Sequence, residues 1–338
     1  MEIRALTLQN LRKYEEARFE FKQGLNWIVG PNASGKTTVL EALYVLMTGR
    51  SFRTAQLAEL IRHGCDYFYI EASFTKYGLE HTVRFSYDGQ ERKIFHNQTS
   101  IPSSTSLLGL LKGVVITPDD AALVKGAPAL RRHFLDLQIA QVDPLYVHHL
   151  TRYLRALQQR NALLRLKQGA GIETWEHELA VSAAYITQHR YQAAQDLSQL
   201  GEKMHLHLAE ELIPFSLSYR SSAPTQAELL KEHYLDQLKR HRKREMELGF
   251  TLAGPHKDDL LIHLDQKEVR HYGSEGQQRT CVAALKLAEW EQVNKGGDGL
   301  PLMLVDDVGV SLDATRRKRL LSHLEGLGQV FLTATERG

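Results

Sequence analysis

The 338 residues are enough for about two domains, and a composition with 43% hydrophobic and 24% charged residues excludes a disordered, collagen-like or low-complexity protein. The formal net charge of +2 is nearly balanced and does not indicate a partner. Two cysteines, Cys65 and Cys281, are too few for a disulfide framework or a zinc cage. Without an apolar run of about 18 residues or a signal-peptide pattern, we expect a cytoplasmic protein that does not enter a membrane.

The first hundred residues predict β-structure around a single helix. From Thr37, apolar residues recur at three- and four-residue spacing, which predicts a helix that ends at Gly49. Asp88-Gly89 predicts a hairpin turn. The apolar and alternating stretches that predict strands are 6–8, 19–21, 25–29, 67–74, 81–87 and 93–96.

The middle of the chain is predicted to be helical. Asp143-Pro144 is typical of a helix start, and Gly169-Ala170-Gly171 separates that helix from a second long one over about 175–200. We expect the two helices to form an antiparallel hairpin. After about residue 247 the α/β pattern returns, so a helical segment interrupts one α/β unit. The elements predicted there are 260–264, 277–294, 302–305, a helix from about 315, and 330–332.

Residues 30–37 match the phosphate-binding pattern G-x-x-x-x-G-K-[ST] in full, between a predicted strand and a predicted helix. Glycines in such a loop let backbone N–H groups turn toward phosphate oxygens, and the helix N-terminus adds a positive dipole end. We therefore predict an ATP site in which Lys36 reaches the β- and γ-phosphates and the Thr37 hydroxyl ligates Mg²⁺. The predicted nucleotide-binding residues are Gly30, Pro31, Asn32, Ala33, Ser34, Gly35, Lys36, Thr37 and Thr38.

Two carboxylates follow the apolar run 302–305. In an open parallel sheet, ligands bind at the carboxyl ends of the strands. Asp306 is therefore predicted to hold Mg²⁺ through water, and Asp307 to position the water that attacks the γ-phosphate. Together with Lys36, they are the predicted catalytic residues.

The segment 272–278 contains the short pattern S-x-G-Q before a predicted helix. A serine and a glycine at a helix N-terminus form an anion-binding surface, and the pattern resembles the signature motif of ABC-type ATPases. In those proteins the motif faces the γ-phosphate bound to a second subunit. The resemblance implies that Ser274, Gly276 and Gln277 complete the ATP site of a partner in an ATP-dependent homodimer.

Blocks along nearly the whole chain resemble the RecF family of bacterial DNA replication and repair ATPases. These blocks are 10–14, 117–120, 125–128, 131–136, 159–164, 254–260, 276–280 and 306–307. The first of them resembles the family's N-F-R-N-Y, which implies that Arg12 contacts the nucleotide. The resemblance also implies an α/β fold: an ABC-type P-loop ATPase head with an antiparallel β subdomain over 1–117 and 248–338, and an inserted helical lobe over 118–247.

For function, the resemblance implies an ATPase head like that of structural-maintenance-of-chromosomes proteins, without a long coiled coil. It implies ATP-dependent dimerisation and slow, DNA-stimulated ATP hydrolysis. It further implies sequence-nonspecific binding of single-stranded, gapped or duplex DNA, and recombinase loading at single-strand gaps with RecO and RecR. Roles in replication and in the SOS response belong to the same expectation.

The chain departs from the family pattern in three places. Gly309, Val310 and Ser311 replace a segment that usually holds a bulky residue, a serine and a glutamate, and we expect the missing glutamate to weaken coupling between the two sites. No glutamine accompanies Thr117-Pro118, where many ABC ATPases have one. The chain ends at Gly338, where family members usually continue, which leaves C-terminal shortening open.

The densest basic run lies at 239–244, followed by Glu245 and Glu247. Such a cluster neutralises DNA phosphates without sequence preference, but it is equally typical of a solvated helix face. Both interpretations stay open. The candidate DNA-binding residues are Lys239, Arg240, Arg242, Lys243 and Arg244.

Two other functions fit part of the pattern. The nucleotide-binding subunit of an ABC transporter has the same motifs, but the long separation of Gly30 from Ser274 leaves room for a helical insertion that transporters lack. An ATP-gated structural clamp, whose hydrolysis is incidental, is kept open by the altered residues after Asp307.

Overall fold

The computed structural model describes residues 1–209, 212–297, 299–307 and 313–336. The chain divides into two compact units. The first comprises Met1–Ala121, Lys203–Leu212 and Ser274–Gly338, and the second comprises Ala122–Glu202 and Ile213–Gly273.

The regular elements follow the predicted order in most of the chain. The strands are β1 Glu2–Leu11, β2 Tyr14–Glu20, β3 Gly24–Val29, β4 Phe68–Lys76, β5 Leu79–Tyr87, β6 Arg92–His96, β7 Thr99–Ser100, β8 Gly113–Ile116, β9 Phe215–Arg220, β10 Asp259–Leu264, β11 Lys267–Glu268, β12 Leu302–Val305 and β13 Gln329–Ala334. The helices are α1 Lys36–Thr48, α2 Ala122–Lys125, α3 Pro128–Ala140, α4 Pro144–Arg165, α5 Ile172–Leu208, α6 Ala227–Leu248, α7 Val269–Tyr272, α8 Glu275–Asn294 and α9 Ala314–Leu324.

The first unit contains a parallel sheet of four strands in the order β3-β13-β12-β8. Strands covered on both faces are continuous apolar runs, and β8 and β12 are buried at every residue. A buried apolar cluster joins this sheet to α8 and includes Val114, Ala284, Met303 and Val330. Cys281 is buried in α8, and burial raises the pKa of its thiol to about 12.

A second sheet of the first unit is antiparallel, with the order β2-β1-β4-β5-β6-β7. Its strands alternate buried and more exposed residues, as expected for a sheet with one face on the core. The predicted hairpin at Asp88-Gly89 joins β5 and β6, where the Asp88 carboxylate accepts the N–H groups of Gln90 and Glu91. The first unit thus has both the α/β core and the antiparallel β subdomain of the predicted fold class.

In the second unit, α4 and α5 run antiparallel, as predicted. Asp143 at the start of α4 bonds to Tyr185, further along α5, and Arg160 near the end of α4 bonds to Glu176, near the start of α5. Residue numbers in contact therefore fall along α5 as they rise along α4. Arg160 is fully buried and also pairs with Glu245 of α6 at 2.6 Å. A buried charge requires such partners. The ion pairs of Arg160 therefore connect α4 to both α5 and α6.

Residues 248–273, which the sequence-based boundaries placed in the ATPase domain, lie in the second unit. The physical reason is strand pairing: β10 pairs antiparallel with β9 over six residues and with β11, in the order β11-β10-β9. Four strands were not predicted, namely β7, β8, β9 and β11. Among the residues that the structure describes, no helix combines the length and apolar character needed to cross a bilayer.

Candidate nucleotide-binding site

The loop 30–35 connects β3 to α1 with a tightly folded backbone. Ala33 and Gly35 have φ angles of 60° and 98°, in the left-handed region. A Cβ at Gly30 would lie 2.8 Å from Ser34 Oγ, and one at Gly35 would lie 2.8 Å from Lys13 Cε. Gly35 is therefore required by its φ angle, and a Cβ at either glycine would force a neighbouring side chain to move.

Two lysine side chains bond to carbonyl oxygens of this loop. Lys36 Nζ donates to Gly30 O at 2.6 Å and to Pro31 O at 2.9 Å. Lys13 Nζ donates to Ala33 O at 3.1 Å. Within the described residues neither ammonium group faces a carboxylate. Phosphate oxygens could replace these carbonyls at both lysines and form stronger, charge-assisted bonds.

The Asp306 carboxylate lies beside the start of α1. Strand β12 ends at Val305, and its pairing with β8 extends to a bond from Asp306 N to Ile116 O at 2.8 Å. Thr37 Oγ1 donates to Asp306 Oδ1 at 2.9 Å. The predicted phosphate-binding and acidic segments, remote in sequence, therefore meet at one point of the sheet edge.

A pocket of about 430 Å³ surrounds this point. Of the predicted residues, Gly30 and Pro31 are absent from its lining but supply the carbonyls that hold Lys36. Burial raises the pKa of Tyr14, whose hydroxyl donates to Gly35 O at 3.4 Å beside the pocket. The lining residues are Arg12, Lys13, Asn32, Ala33, Ser34, Gly35, Lys36, Thr37, Thr38, Arg53, Pro118, Asp306, Asp307, Thr333 and Thr335.

Arg12 lines the pocket while its guanidinium is held by a buried carboxylate. Its Nη2 and Nε atoms donate to the two oxygens of Glu41 at 2.9 and 3.2 Å, and Nη1 donates to Glu59 O at 3.0 Å. Glu41 is fully buried. A guanidinium has five N–H donors, so Arg12 can contact a ligand in the pocket without leaving Glu41.

The signature segment lies outside this pocket, at the start of α8. Ser274 and Gln277 form a capping box, with Ser274 N donating to Gln277 Oε1 at 2.9 Å and Gln277 N to Ser274 Oγ at 3.3 Å. This cap starts the helix at Glu275, two residues before the predicted start. None of Ser274, Gly276 and Gln277 is among the described residues that line the pocket around Lys36.

The segment after the acidic pair approaches this signature helix. Asp313 caps α9 by accepting Arg316 N at 2.9 Å, which lowers the pKa of Asp313, and its other oxygen pairs with Arg316 Nη1 at 2.9 Å. A Cβ at Gly276 would lie 3.2 Å from the same Nη1 atom. The family departures at Gly309, Val310 and Ser311 lie outside the described residues.

Sequence reasoning missed five residues of the pocket lining, of which Lys13 and Thr333 bond to predicted site residues; the other three are Arg53, Pro118 and Thr335. Lys13 had a signal, since it follows Arg12 in a family-like block. Thr333 had none, since a threonine in an apolar strand is common. Yet Thr333 Oγ1 donates to Asp306 Oδ1 at 2.7 Å and accepts the Asp307 N–H at 2.8 Å.

The basic run lies on α6 and divides between two environments. Arg242 is half-buried and pairs with Glu173 at 2.6 Å and Glu176 at 2.5 Å. Arg240 is 71% exposed and pairs with Asp236 on its own helix. Exposed members without an ion pair among the described residues are Lys239, Lys243 and Arg244.

The chain is similar to known proteins over nearly its whole length. The model of the RecF/RecN/SMC N-terminal domain matches residues 2–338. The DNA replication and repair protein RecF of Protochlamydia amoebophila is 50% identical over 99% of this chain and 94% of its own length. The protein of the same name from Chlamydia caviae is 38% identical over 99% of this chain and 92% of its own.

Solved structures give the same result for the fold. The recombination mediator protein RecF with ATP, of the RecFOR pathway, superposes with a TM-score of 0.93 at 30% identity, covering 100% of this chain and 92% of that one. An Smc head bound to the C-terminal winged-helix domain of ScpA superposes with a TM-score of 0.57 at 16% identity, covering 100% and 90%. The second likeness concerns the fold alone.

Replacement of Lys36 by alanine should abolish stable ATP binding. The loss of two charge-assisted bonds to phosphate, each of about 1.5–3 kcal/mol, corresponds to roughly 10²- to 10⁴-fold weaker affinity. Equilibrium titration with ATP measures the effect, beside Lys93→Ala, an exposed lysine of β6 away from the pocket. Equal affinity of the Lys36→Ala and unmodified proteins would contradict the assignment.

Proposed function

We propose that this chain, which belongs to the RecF family, is an ATP-dependent DNA-binding protein of recombinational repair and replication. The observation that carries the proposal is the bond between Thr37 Oγ1 and Asp306 Oδ1, at 2.9 Å. It brings a phosphate-binding loop and an acidic strand end together, as phosphoryl transfer requires. A RecF structure with ATP, similar to this chain over its whole length, supports ATP as the ligand.

The pocket chemistry fits Mg²⁺ held together with a nucleotide. Thr37 and Asp306 present hard oxygen donors on one side of the pocket. In the described part of the chain, no three His, Cys, Asp or Glu side chains gather as metal ligands. Mg²⁺ normally takes one or two carboxylates, waters and substrate phosphates. When bound, it would neutralise charge on the β- and γ-phosphates.

Three residues of the pocket then have separate tasks. Lys36 exchanges the carbonyls of Gly30 and Pro31 for phosphate oxygens and brings a positive charge against them. The hydroxyl groups of Thr37 and Thr333 hold the Asp306 carboxylate, which would bind Mg²⁺ through water. Asp307, whose backbone is fixed beside it, positions the attacking water. We infer slow hydrolysis that acts as a switch and is stimulated by DNA.

Dimerisation on ATP follows from the separation of the two half-sites. Ser274 and Gly276 lie at a helix N-terminus, where backbone N–H groups and the helix dipole favour anions. They do not line the pocket of their own chain among the described residues. Since the segment resembles the signature motif of ABC-type ATPases, we propose that these residues contact the nucleotide of a second copy. ATP would then join two chains, and its hydrolysis would release them.

For DNA, we favour the exposed part of the basic run. Lys239, Lys243 and Arg244 are solvent-exposed on α6. Arg242 is less suited to phosphate contacts, because it already pairs with Glu173 and Glu176. Such contacts give sequence-nonspecific binding to single-stranded, gapped or duplex DNA. We further propose RecO and RecR as partners, since the solved RecF structure belongs to the RecFOR pathway.

Asp307→Asn should bind ATP normally but hydrolyse it more slowly, by a factor of about 10² to 10⁴, because the amide is a poor water-positioning base. Single-turnover hydrolysis with saturating protein measures the chemical step. Asp265→Asn is the matched control, because Asp265 also has a positive φ angle but lies in a turn between β10 and β11. If Asp307→Asn hydrolyses ATP at the unmodified rate, another residue has the catalytic role.

Ser274→Arg should bind ATP as a monomer and fail to dimerise, because a bulky cation at the helix N-terminus collides with the partner's loop. Hydrolysis should fall as well, since donors to the transition state are removed. Sedimentation with Mg-ATP, beside a nucleotide titration, tests both parts. Ser274→Ala is the control, because it removes the same helix cap without adding bulk. If the two variants have equal thermal stability, the loss of dimerisation in Ser274→Arg comes from the collision and not from the lost cap. Unchanged dimerisation of Ser274→Arg contradicts a shared site.

The triple variant Lys239→Gln/Lys243→Gln/Arg244→Gln should weaken DNA binding for every sequence alike. For each DNA phosphate that the variant no longer neutralises, the slope of log affinity against log salt should fall in magnitude by about 0.9 on duplex DNA. Fluorescence anisotropy over a salt series gives the slope. The control removes three exposed cations elsewhere, Arg18, Lys93 and Lys267. If both triple variants show the same decrease in affinity and slope, α6 has no special part in DNA binding.

A further inference from the structure

We propose that Thr333 is the positioning residue for the Asp306–Asp307 pair: its hydroxyl aligns the metal-side carboxylate and fixes the backbone from which the water-positioning carboxylate extends. This inference rests on the ATP hydrolysis proposed above. It concerns a residue outside the phosphate-binding loop, the acidic pair and the signature motif.

The sheet order places Thr333 between the two halves of the site. Strand β13 lies between β3, which leads into the phosphate-binding loop, and β12, which leads into the acidic pair. Leu332 pairs with Val305 of β12, and Thr333 itself pairs with Ile28 of β3. Thr333 therefore lies between Leu332, which is opposite the last residue of β12, and Ala334, which is opposite the last residue of β3.

The Thr333 hydroxyl uses both of its hydrogen-bonding functions at this point. Its oxygen accepts the Asp307 N–H at 2.8 Å, and its proton is donated to Asp306 Oδ1 at 2.7 Å. Asp306 Oδ1 also accepts the Thr37 hydroxyl at 2.9 Å, so Oδ2 is the oxygen that neither hydroxyl occupies. A residue with only a donor or only an acceptor cannot replace the threonine. Since Thr333 is 1% exposed, water cannot take over these bonds freely.

The backbone conformation of Asp307 makes its bond to the Thr333 hydroxyl especially important. Asp307 has a φ angle of 53°, in the left-handed region that is unfavourable for residues with a Cβ atom. Such conformations persist where the surroundings hold them, and they concentrate at functional sites. The bond from Asp307 N to Thr333 Oγ1 is a tether of this kind. It sets the direction in which the Asp307 side chain leaves the sheet edge.

Loss of the hydroxyl should therefore affect the chemical step more than nucleotide binding. Thr333→Val keeps the volume and the β-branch of the side chain but removes both bonds. We expect ATP affinity within about threefold of the unmodified protein, and single-turnover hydrolysis slower by roughly 10- to 100-fold, because a misplaced reacting group has a cost of this order. The Mg²⁺ concentration for half-maximal rate should rise, because Asp306 loses one of its two orienting hydroxyls.

Two further variants separate positioning from packing. Thr333→Ser keeps the hydroxyl and removes a methyl group, and it should restore hydrolysis to within about threefold of the unmodified rate. Thr48→Val is the control for a removed buried hydroxyl, because Thr48 is also buried and donates to Tyr44 O at 2.9 Å at the other end of α1. It should change thermal stability without changing the rate. If Thr333→Val does not fold, Thr333→Ala compared with Thr333→Ser gives the same contrast.

A double-mutant cycle completes the experiment. At saturating Mg²⁺, where the lost bond to Asp306 no longer limits the rate, Thr333→Val should cause little further loss of rate in an Asp307→Asn background. Losses that multiply under these conditions would overturn the proposal, as would a Thr333→Val protein with unmodified rate and Mg²⁺ dependence. A rate loss in Thr333→Ser as large as in Thr333→Val would also overturn it. The unmodified chain separates failure of the proposed function from failure of the role of Thr333. If the unmodified chain hydrolyses no ATP at all, the proposed function fails, whatever the variants do.

Discussion

The carboxylate of Asp306 connects three segments that the sequence keeps far apart, because two hydroxyl groups converge on its Oδ1 atom. Thr37 arrives from the first turn of α1, and Thr333 from the end of β13. Both bonds depend on the register of the parallel sheet: had β12 or β13 shifted by one residue, each of its side chains would point to the opposite face of the sheet, and these hydroxyl and carboxylate groups would no longer meet. The apolar core beneath the sheet therefore fixes the geometry of the polar site above it.

The cations around the pocket differ in what holds them. Arg12 is locked by the buried Glu41, so its position is set before any ligand arrives. Lys36 and Lys13 donate hydrogen bonds to loop carbonyls, which are weaker partners than a phosphate. The site thus combines one guanidinium group in a fixed position with two ammonium groups that can exchange their hydrogen-bond partners. Little reorganisation of the fold is therefore needed when an anion binds.

Sequence patterns were sufficient where the chemistry is local. The phosphate-binding loop lies between a strand and a helix within a few residues, and Asp306 follows an uninterrupted apolar run, so both could be found without tertiary information. The role of Thr333 depends on which strand lies between which others, and nothing in the residues around it records that order. The basic run is similar: only the structure shows that Arg242 faces the glutamates of α5 while Lys239 and Lys243 face solvent.

The signature helix adds the last constraint. A serine hydroxyl has one donor and two acceptor sites, so Ser274 can accept Gln277 N–H as the helix cap and still donate its proton to an anion. The cap thus orders the start of α8 without using the proton of the Ser274 hydroxyl. Because Arg316 lies close to Gly276 and pairs with Asp313, the chain that follows the acidic pair returns to this same helix end. A displacement of the start of α9 would therefore move the start of α8 as well, and the two helix starts are linked within the first unit.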